Sequence, residues 1–168
     1  PMVLDDLGLG PTVRRMVSDR GRRSGIDVGF DSQGIEDRLS PDLESAVYRS
    51  LDEAIAGYLA LKPPSVLVRL DWSPTELVAT VEGTWPRRGD ETKAETSETA
   101  ASTTVDTPPA LLAMMAEMRS EEQEADRAAR ALSAGRVEAI EHRAEALGMR
   151  LAMRNEGQVM ELVAPLKH

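Results

Sequence analysis

The side chains that most often do chemistry in proteins are few and widely separated in this sequence. It contains two histidines, His142 and His168, and no cysteine. Transition metals are usually held by several converging histidine, cysteine or carboxylate ligands, so we expect no metal site. The lack of cysteine also excludes a disulfide framework and a cysteine nucleophile, and it fits a reducing, cytoplasmic location.

Two further groups could bind a ligand, and each has a simpler interpretation. The acidic run at residues 121–126 could bind Ca²⁺, but it lacks the glycine turn of a calcium loop, so we interpret it as a solvated helix face. Tyr58 and Trp85 could stack on a ligand or could pack in the core or at its rim. None of these patterns identifies a substrate.

A cluster of large apolar side chains is the candidate surface for a protein partner. Methionines on an amphipathic helix can form an adaptable binding surface, or they can pack on their own domain. We expect them to contact either the domain or a second copy. The cluster consists of Leu111, Met114, Met115 and Met118.

Length and charge exclude several classes of protein. The 168 residues suit a single domain over 1–168, and the leading Pro1 suggests a piece of a longer protein. The net charge of −9 argues against a nucleic-acid partner, because phosphate backbones attract clustered positive charge. No apolar run reaches the roughly 20 residues of a membrane span, so we expect no membrane contact.

Periodicity predicts three helices and five strands outside a variable segment. Pro11 and Pro41 each lie in the first turn of a predicted helix, with Ser40 as the cap of the second. Apolar residues alternate along the predicted strands, and Glu156-Gly157 forms the turn of a closing hairpin. The predicted helices are 10–24, 41–62 and 135–148, and the predicted strands are 25–30, 65–72, 76–83, 150–155 and 158–165.

Composition changes at residues 87–134. The tract 87–108 is rich in Thr, Ser and Glu, with almost nothing to bury, so we predict a flexible segment followed by a helix over 109–132. The whole order predicts an α+β fold, a two-layer α/β sandwich. Its mixed sheet has about five strands and is covered on one face by helices.

Four stretches in this order resemble the ATP-binding domain of bacterial sensor histidine kinases, the Bergerat-type ATPase group. They span nearly the whole chain outside 86–134, which stands where that family has its ATP lid. The resemblance implies an α/β sandwich that binds Mg-ATP. The stretches are LDDLGLGPTVRRMV (4–17), GIDVGF (25–30), RLSPDLESAVYRSLDEAI (38–55) and EAIEHRAEALGMRLAM (138–153).

The family's asparagine box is damaged. Glu53 matches its acidic residue, but the Mg²⁺-ligating Asn falls on Gly57 and the following Lys-His falls on Ala60 and Leu61. A side chain without oxygen cannot ligate Mg²⁺. Glu53 could be a leftover general base, although a solvated charge or an ion pair is the simpler interpretation. The family's phosphoacceptor lies on upstream helices, so we interpret His142 as a surface residue.

The two glycine-containing boxes are damaged as well. In the Asp-x-Gly-x-Gly box, Val81 replaces the Asp that accepts from adenine, Gly83 keeps the first glycine and Trp85 replaces the second. A one-residue shift would place Glu82 at the Asp position but would lose the match of Gly83. The glycine-rich phosphate loop is reduced to Gly135, and one glycine cannot form the family's loop.

The sequence therefore predicts a degenerate, non-catalytic histidine kinase-like domain that acts through protein contacts and needs no cofactor. Its partner would be another protein, an upstream dimerisation or sensory module, or a second copy in a homodimer. One alternative is an active sensor kinase that binds Mg-ATP in a divergent way and phosphorylates a histidine. A second alternative is a small-molecule sensor that uses the vacated pocket.

Overall fold

The structure is a computed structural model that describes residues 6–86 and 108–166. The described residues fall into two units. One consists of residues 6–84 and 130–166, and the other of 85–86 and 108–129. The elements are α1 (Leu9–Ser24), β1 (Asp27–Gln33), α2 (Pro41–Ala60), β2 (Ser65–Trp72), β3 (Glu76–Thr84), α3 (Pro109–Ala129), α4 (Ala134–Ala146), β4 (Arg150–Arg154), a 3₁₀ turn (Asn155–Gly157) and β5 (Val159–Pro165).

The first unit is built on one mixed sheet of five strands. The strand order is β1-β2-β3-β5-β4, in which β1 runs parallel to β2 and every other pair is antiparallel. Helix α1 packs against β1, α2 against the central strands, and α4 against β4 and α2. The predicted α+β sandwich is therefore confirmed.

Alternation along the central strands explains why helices cover one face. In β2, β3 and β5 every second side chain is buried against α2, and the side chains between them are partly exposed. The buried set is almost entirely aliphatic, as the low aromatic content requires. It includes Val66, Val68, Leu70, Leu77, Ala79, Val81, Met160, Leu162 and Ala164.

Helix α2 begins at the predicted cap. The Ser40 side chain accepts a hydrogen bond from the Leu43 amide at 3.4 Å, and Pro41 occupies the first helical position. Glu44 is buried and accepts from Arg38 Nε at 2.7 Å and from the Leu39 amide at 3.2 Å. These contacts fix the direction in which α2 crosses the sheet.

Two elements, β1 and α3, differ most from the sequence prediction. Strand β1 begins two residues later than predicted and extends to Gln33, because residues 27–33 pair with residues 65–71 of β2. The helix predicted over 109–132 ends at Ala129, and Leu132 is buried within the first unit. Ser133 has the extended backbone of a helix cap, so the chain leaves helical geometry before α4.

The tract 87–108, predicted to be flexible, lies outside the described residues except for Pro108. No helix among residues 6–86 and 108–166 is long and apolar enough to cross a membrane.

Candidate functional site

The residues matched to the asparagine box lie where α2 meets α4. Gly57 is buried, and a Cβ atom at this position would lie 2.6 Å from Leu132 Cδ2 and 2.9 Å from Arg136 Cδ. Such distances are far inside normal van der Waals contact. The space beside Gly57 is therefore filled by two side chains of the same unit, and an asparagine would not fit without displacing them.

Glu53 lies one turn before Gly57 on the same side of α2. Its carboxylate forms an ion pair with Arg143, with 3.3 Å between Oε2 and Nη1, and the same guanidinium donates to the Ser50 hydroxyl at 3.3 Å. Arg136 donates to the Glu53 backbone oxygen at 3.3 Å. The retained acidic residue thus has a structural partner, as the ion-pair interpretation expected.

We call these residues the α2–α4 contact: Glu53, Gly57, Leu132, Arg136 and Arg143. The two arginines come from the last helix, seven residues apart, which places both on one face of α4. The contact joins parts of the chain more than 70 residues apart in sequence.

Val81 and Gly83 lie on β3, on the buried face of the sheet. Val81 pairs with Val68 on β2 and Met160 on β5, and all three side chains are completely buried. Gly83 donates its amide to the Gln158 carbonyl at 3.0 Å. The position matched to the adenine acceptor is therefore a hydrocarbon core position in this structure.

Tyr58 is a core residue. Its side chain is fully buried, and its hydroxyl donates to the Gly157 carbonyl at 2.8 Å. Burial raises the pKa of the Tyr58 phenol well above its ordinary value, and the carboxylate of Glu82 raises this pKa further. Tyr58 is therefore a neutral hydrogen-bond donor at physiological pH and offers no exposed ring for stacking. Trp85 is half-buried and belongs to the second unit.

Gly135 lies in the first turn of α4. A Cβ atom there would meet nothing within 4 Å. The Ser133 hydroxyl caps the helix by accepting from the Arg136 amide at 3.3 Å. The N-terminus of α4 is thus capped by the Ser133 side chain, and it lacks the successive glycines of a phosphate loop.

The remaining candidates are exposed. His142 lies on the solvent side of α4, and no group of three or more potential metal ligands gathers within residues 6–86 and 108–166. Leu111, Met114, Met115 and Met118 all lie on α3 with exposed side chains.

The sequence prediction missed the residues that fill the site. The helix predicted over 109–132 includes Leu132, and the sequence prediction gives no role to Arg136 or Arg143. The spacing of the two arginines on one face of α4 was the available signal, since a partly buried helix face with two guanidiniums needs an acidic partner.

Solved structures with a similar fold are histidine kinase catalytic domains. The nucleotide-free catalytic domain of histidine kinase ThkA is 13% identical, with 94% of this chain and 90% of that chain covered and a TM-score of 0.53. The blue-light activated histidine kinase EL346 of Erythrobacter litoralis is 14% identical, with 94% and 45% covered and a TM-score of 0.56. The chain thus has the histidine kinase-like ATPase fold. No family model matches it, and neither does any curated protein.

Proposed function

We propose that this chain is a degenerate histidine kinase-like domain, which binds no Mg-ATP and works in bacterial signal transduction through protein contacts. The fold supports the general class. The observation that carries the loss of nucleotide binding is the crowding of Gly57 by Leu132 and Arg136. The side chains of Leu132 and Arg136 occupy the space beside Gly57, so the protein packs this region without a bound nucleotide.

The metal side of the pocket lacks suitable donors. Mg²⁺ requires oxygen ligands in near-octahedral geometry, and Gly57 offers no side-chain oxygen. The Glu53 carboxylate is held by Arg143, so a cation would have to compete with a guanidinium already in place. The charge of a triphosphate would then remain without its counterion.

The adenine side lacks its acceptor. Val81 is completely buried between hydrocarbon neighbours. An adenine amino group buried there without a partner would cost about 1–3 kcal/mol, which weakens binding roughly 5- to 150-fold. Combined with the loss of the metal ligand, this shifts a micromolar affinity towards millimolar, provided that the two sites act independently.

The proposed partner is a protein, either an upstream dimerisation or sensory module or a second copy. A cytoplasmic location belongs to the same proposal because the chain lacks cysteine. The exposed side chains of Leu111, Met114, Met115 and Met118 are the proposed contact residues.

Thermal unfolding with Mg-ADP tests the loss of binding. A ligand present at 100 times its dissociation constant stabilises a protein by about 2.7 kcal/mol, which raises the Tm of a chain of this size by about 5–10 °C. We expect a shift of at most about 2 °C with roughly 1 mM Mg-ADP, at which a site with a millimolar dissociation constant gains only about 0.4 kcal/mol. Mg-GTP at the same concentration is the matched control for ionic effects.

A saturable Mg-ADP response with a dissociation constant below about 100 μM would overturn the proposal and favour an active kinase with a divergent site. Native mass spectrometry of the purified chain tests the sensor alternative. A stoichiometric small molecule that survives purification would favour that alternative instead.

A further inference from the structure

Helix α1 is positively charged, although the chain as a whole is acidic. Its residues include five arginines and one aspartate, a net charge of +4, whereas the whole chain has a net charge of −9. The rest of the sequence therefore carries −13. Such a concentration of positive charge on one helix attracts anions.

Burial divides α1 into two sides. Leu9, Val13, Met16 and Val17 are buried where the helix packs against β1 and α2. The opposite side is exposed and lines a concave site of about 520 Å³, whose basic residues are Arg14, Arg15 and Arg22. The packing of α1 on the first unit therefore fixes which side presents the guanidinium groups.

Two of these guanidinium groups are not neutralised. The Arg15 side chain forms no hydrogen bond or ion pair with any of residues 6–86 and 108–166. The Arg14 guanidinium lies over the Phe30 ring, with 5.2 Å between Cζ and the ring centroid. A guanidinium stacked on a ring keeps the N–H donors along its edge available for an acceptor. Within the described part of the chain, Arg14 and Arg15 thus have no carboxylate partner.

Two carboxylates at the rim limit what the site can bind. Arg22 forms an ion pair with Asp19, and the Glu36 carboxylate accepts from the Ser32 hydroxyl at 3.1 Å and lies against Gly10. Arg22 keeps spare donors, because a guanidinium has five N–H groups and a bidentate carboxylate uses two of them. The site therefore suits a short anionic chain along the arginines and disfavours one that continues past Glu36.

We infer that the exposed side of α1 binds a short acidic segment of a protein partner. We call this side the arginine face: Arg14, Arg15, Ser18 and Arg22. Arg15 and Arg22 are about 10 Å apart along the helix, which exceeds the size of a single carboxylate. An extended chain rises about 3.3 Å per residue, so acidic side chains about two to four residues apart reach both arginines. The Ser18 hydroxyl adds a hydrogen-bond donor between them.

Charge favours a short acidic segment over a nucleic acid or a membrane. Either of these would extend beyond the arginine face onto a chain whose remaining residues carry −13. Charges interact over about 8 Å at physiological salt, so the acidic remainder repels an extended polyanion more than a segment of a few residues. Each arginine can hold one carboxylate of the segment through two parallel hydrogen bonds.

The inference rests on the proposed action through protein contacts, but it names a surface other than α3. Binding is measured without nucleotide, so a failed peptide test and a failed nucleotide test are separate results.

Fluorescence anisotropy with a labelled peptide of about eight residues, in which glutamate and serine alternate, tests the arginine face. With the full chain, we expect saturable binding with a dissociation constant on the order of 100 μM at about 20 mM salt, weakened about tenfold at about 200 mM salt. Arg15→Gln combined with Arg22→Gln should weaken binding by about tenfold or more, because two guanidinium groups are lost.

The matched control combines Arg150→Gln with Arg154→Gln. These substitutions remove the same charge from β4, which forms the edge of the sheet opposite to β1, and should leave the affinity within about twofold. Arg14→Gln repeats the test at a third position of the arginine face, and circular dichroism verifies that each variant is folded.

The absence of saturable binding at low salt would overturn the inference, as would equal losses in the two double variants. A peptide of alternating glutamine and serine that binds equally well would also contradict it, since the contact would then not depend on carboxylates. Two further probes are a single-stranded DNA of about eight nucleotides and vesicles that contain phosphatidylserine. Tighter binding to either probe, lost in the same double variant, would assign the face to that partner and overturn the acidic segment.

Discussion

At the scale of single residues, two helical glycines have opposite surroundings. Gly57 faces Leu132 Cδ2 at 2.6 Å from its would-be Cβ, whereas Gly135 faces open space. Both lie in helices, where alanine is intrinsically favoured over glycine by up to about 1 kcal/mol. Their comparison therefore separates packing from helix propensity.

We predict that Gly57→Ala changes the free energy of unfolding less favourably than Gly135→Ala, by about 1 kcal/mol, because the side-chain ends of Leu132 and Arg136 must shift to admit the methyl group. Gly135→Ala should leave it unchanged or raise it by up to about 1 kcal/mol. Urea unfolding of both variants measures the difference. Equal effects of the two substitutions would show that the space beside Gly57 is not filled as described.

Ionisation of Tyr58 should lower the free energy of unfolding as the pH rises into the alkaline range. Its pKa is raised in the folded protein, so the contribution is fully present below the unfolded value of about 10 and is lost as pH rises above it. The loss is up to about 1.4 kcal/mol per pH unit for this group. Burial and Asp52 also raise the pKa of Tyr48, the other tyrosine, so both contribute.

We predict that Tyr58→Phe is less stable than the wild type by about 1 kcal/mol below pH 9, because the Gly157 carbonyl loses its donor. The difference in the free energy of unfolding between the two proteins should narrow above pH 10, because only the wild type loses the Tyr58 contribution there. Urea unfolding at pH 8, 10 and 11 measures this difference, and Tyr48→Phe is the control for the second phenol. A difference that stays constant across these pH values would contradict the described environment of Tyr58.

The match of Gly57, Val81 and Gly83 to the nucleotide-binding boxes rests on the resemblance to the family and stays a prediction. It needs only local counting along the sequence. It did not reveal that Leu132 and Arg136 fill the space beside Gly57. That contact joins residues about 75 positions apart, and only the packing of α4 against α2 brings them together.

At the scale of elements, the ion pair between Glu53 and Arg143 helps to hold α4 against α2. Its side chains are only 26% and 30% exposed, so solvent screens the pair less than at an open surface. The pair between Arg150 and Glu76 is more exposed, at 77% and 40%, with a separation of 3.5 Å. The two pairs allow a direct comparison.

We predict a coupling free energy of about 0.5–1.5 kcal/mol between Glu53→Gln and Arg143→Met in a double-mutant cycle. The matched cycle of Glu76→Gln and Arg150→Met should give less than about 0.5 kcal/mol. Chemical denaturation at low salt measures both. Indistinguishable couplings would mean that Glu53 and Arg143 contribute no more than an open surface pair.

Periodicity predicted elements better than it predicted their ends. Strands β2 and β3 were found almost to the residue, because each buries alternate side chains on one face. Strand β1 was placed too early because its polar end, residues 31–33, is defined by pairing with β2 and not by burial. Helix α3 was predicted too long because alanines continue the helical pattern past Ala129.

At the scale of the whole molecule, the positions matched to the family's nucleotide-binding residues are packing positions in this structure. Gly57 contacts another helix, Val81 belongs to the core and Glu53 forms an ion pair. Side chains within the first unit therefore provide the packing and ion-pair partners of these three residues. A fold stabilised in this way should retain its stability and its protein contacts without a nucleotide.

The most direct measurement of this claim is the amide spectrum of the ¹⁵N-labelled chain during titration with Mg-ADP. Glycine amides usually resolve well, and Gly57, Gly83 and Gly135 mark the three stretches matched to the family's nucleotide-binding boxes. We predict that none of the three signals approaches saturation up to about 1 mM Mg-ADP, where a 100 μM site would be about 90% occupied. Saturable shifts at all three glycines would show that a nucleotide enters the site and would contradict the central claim.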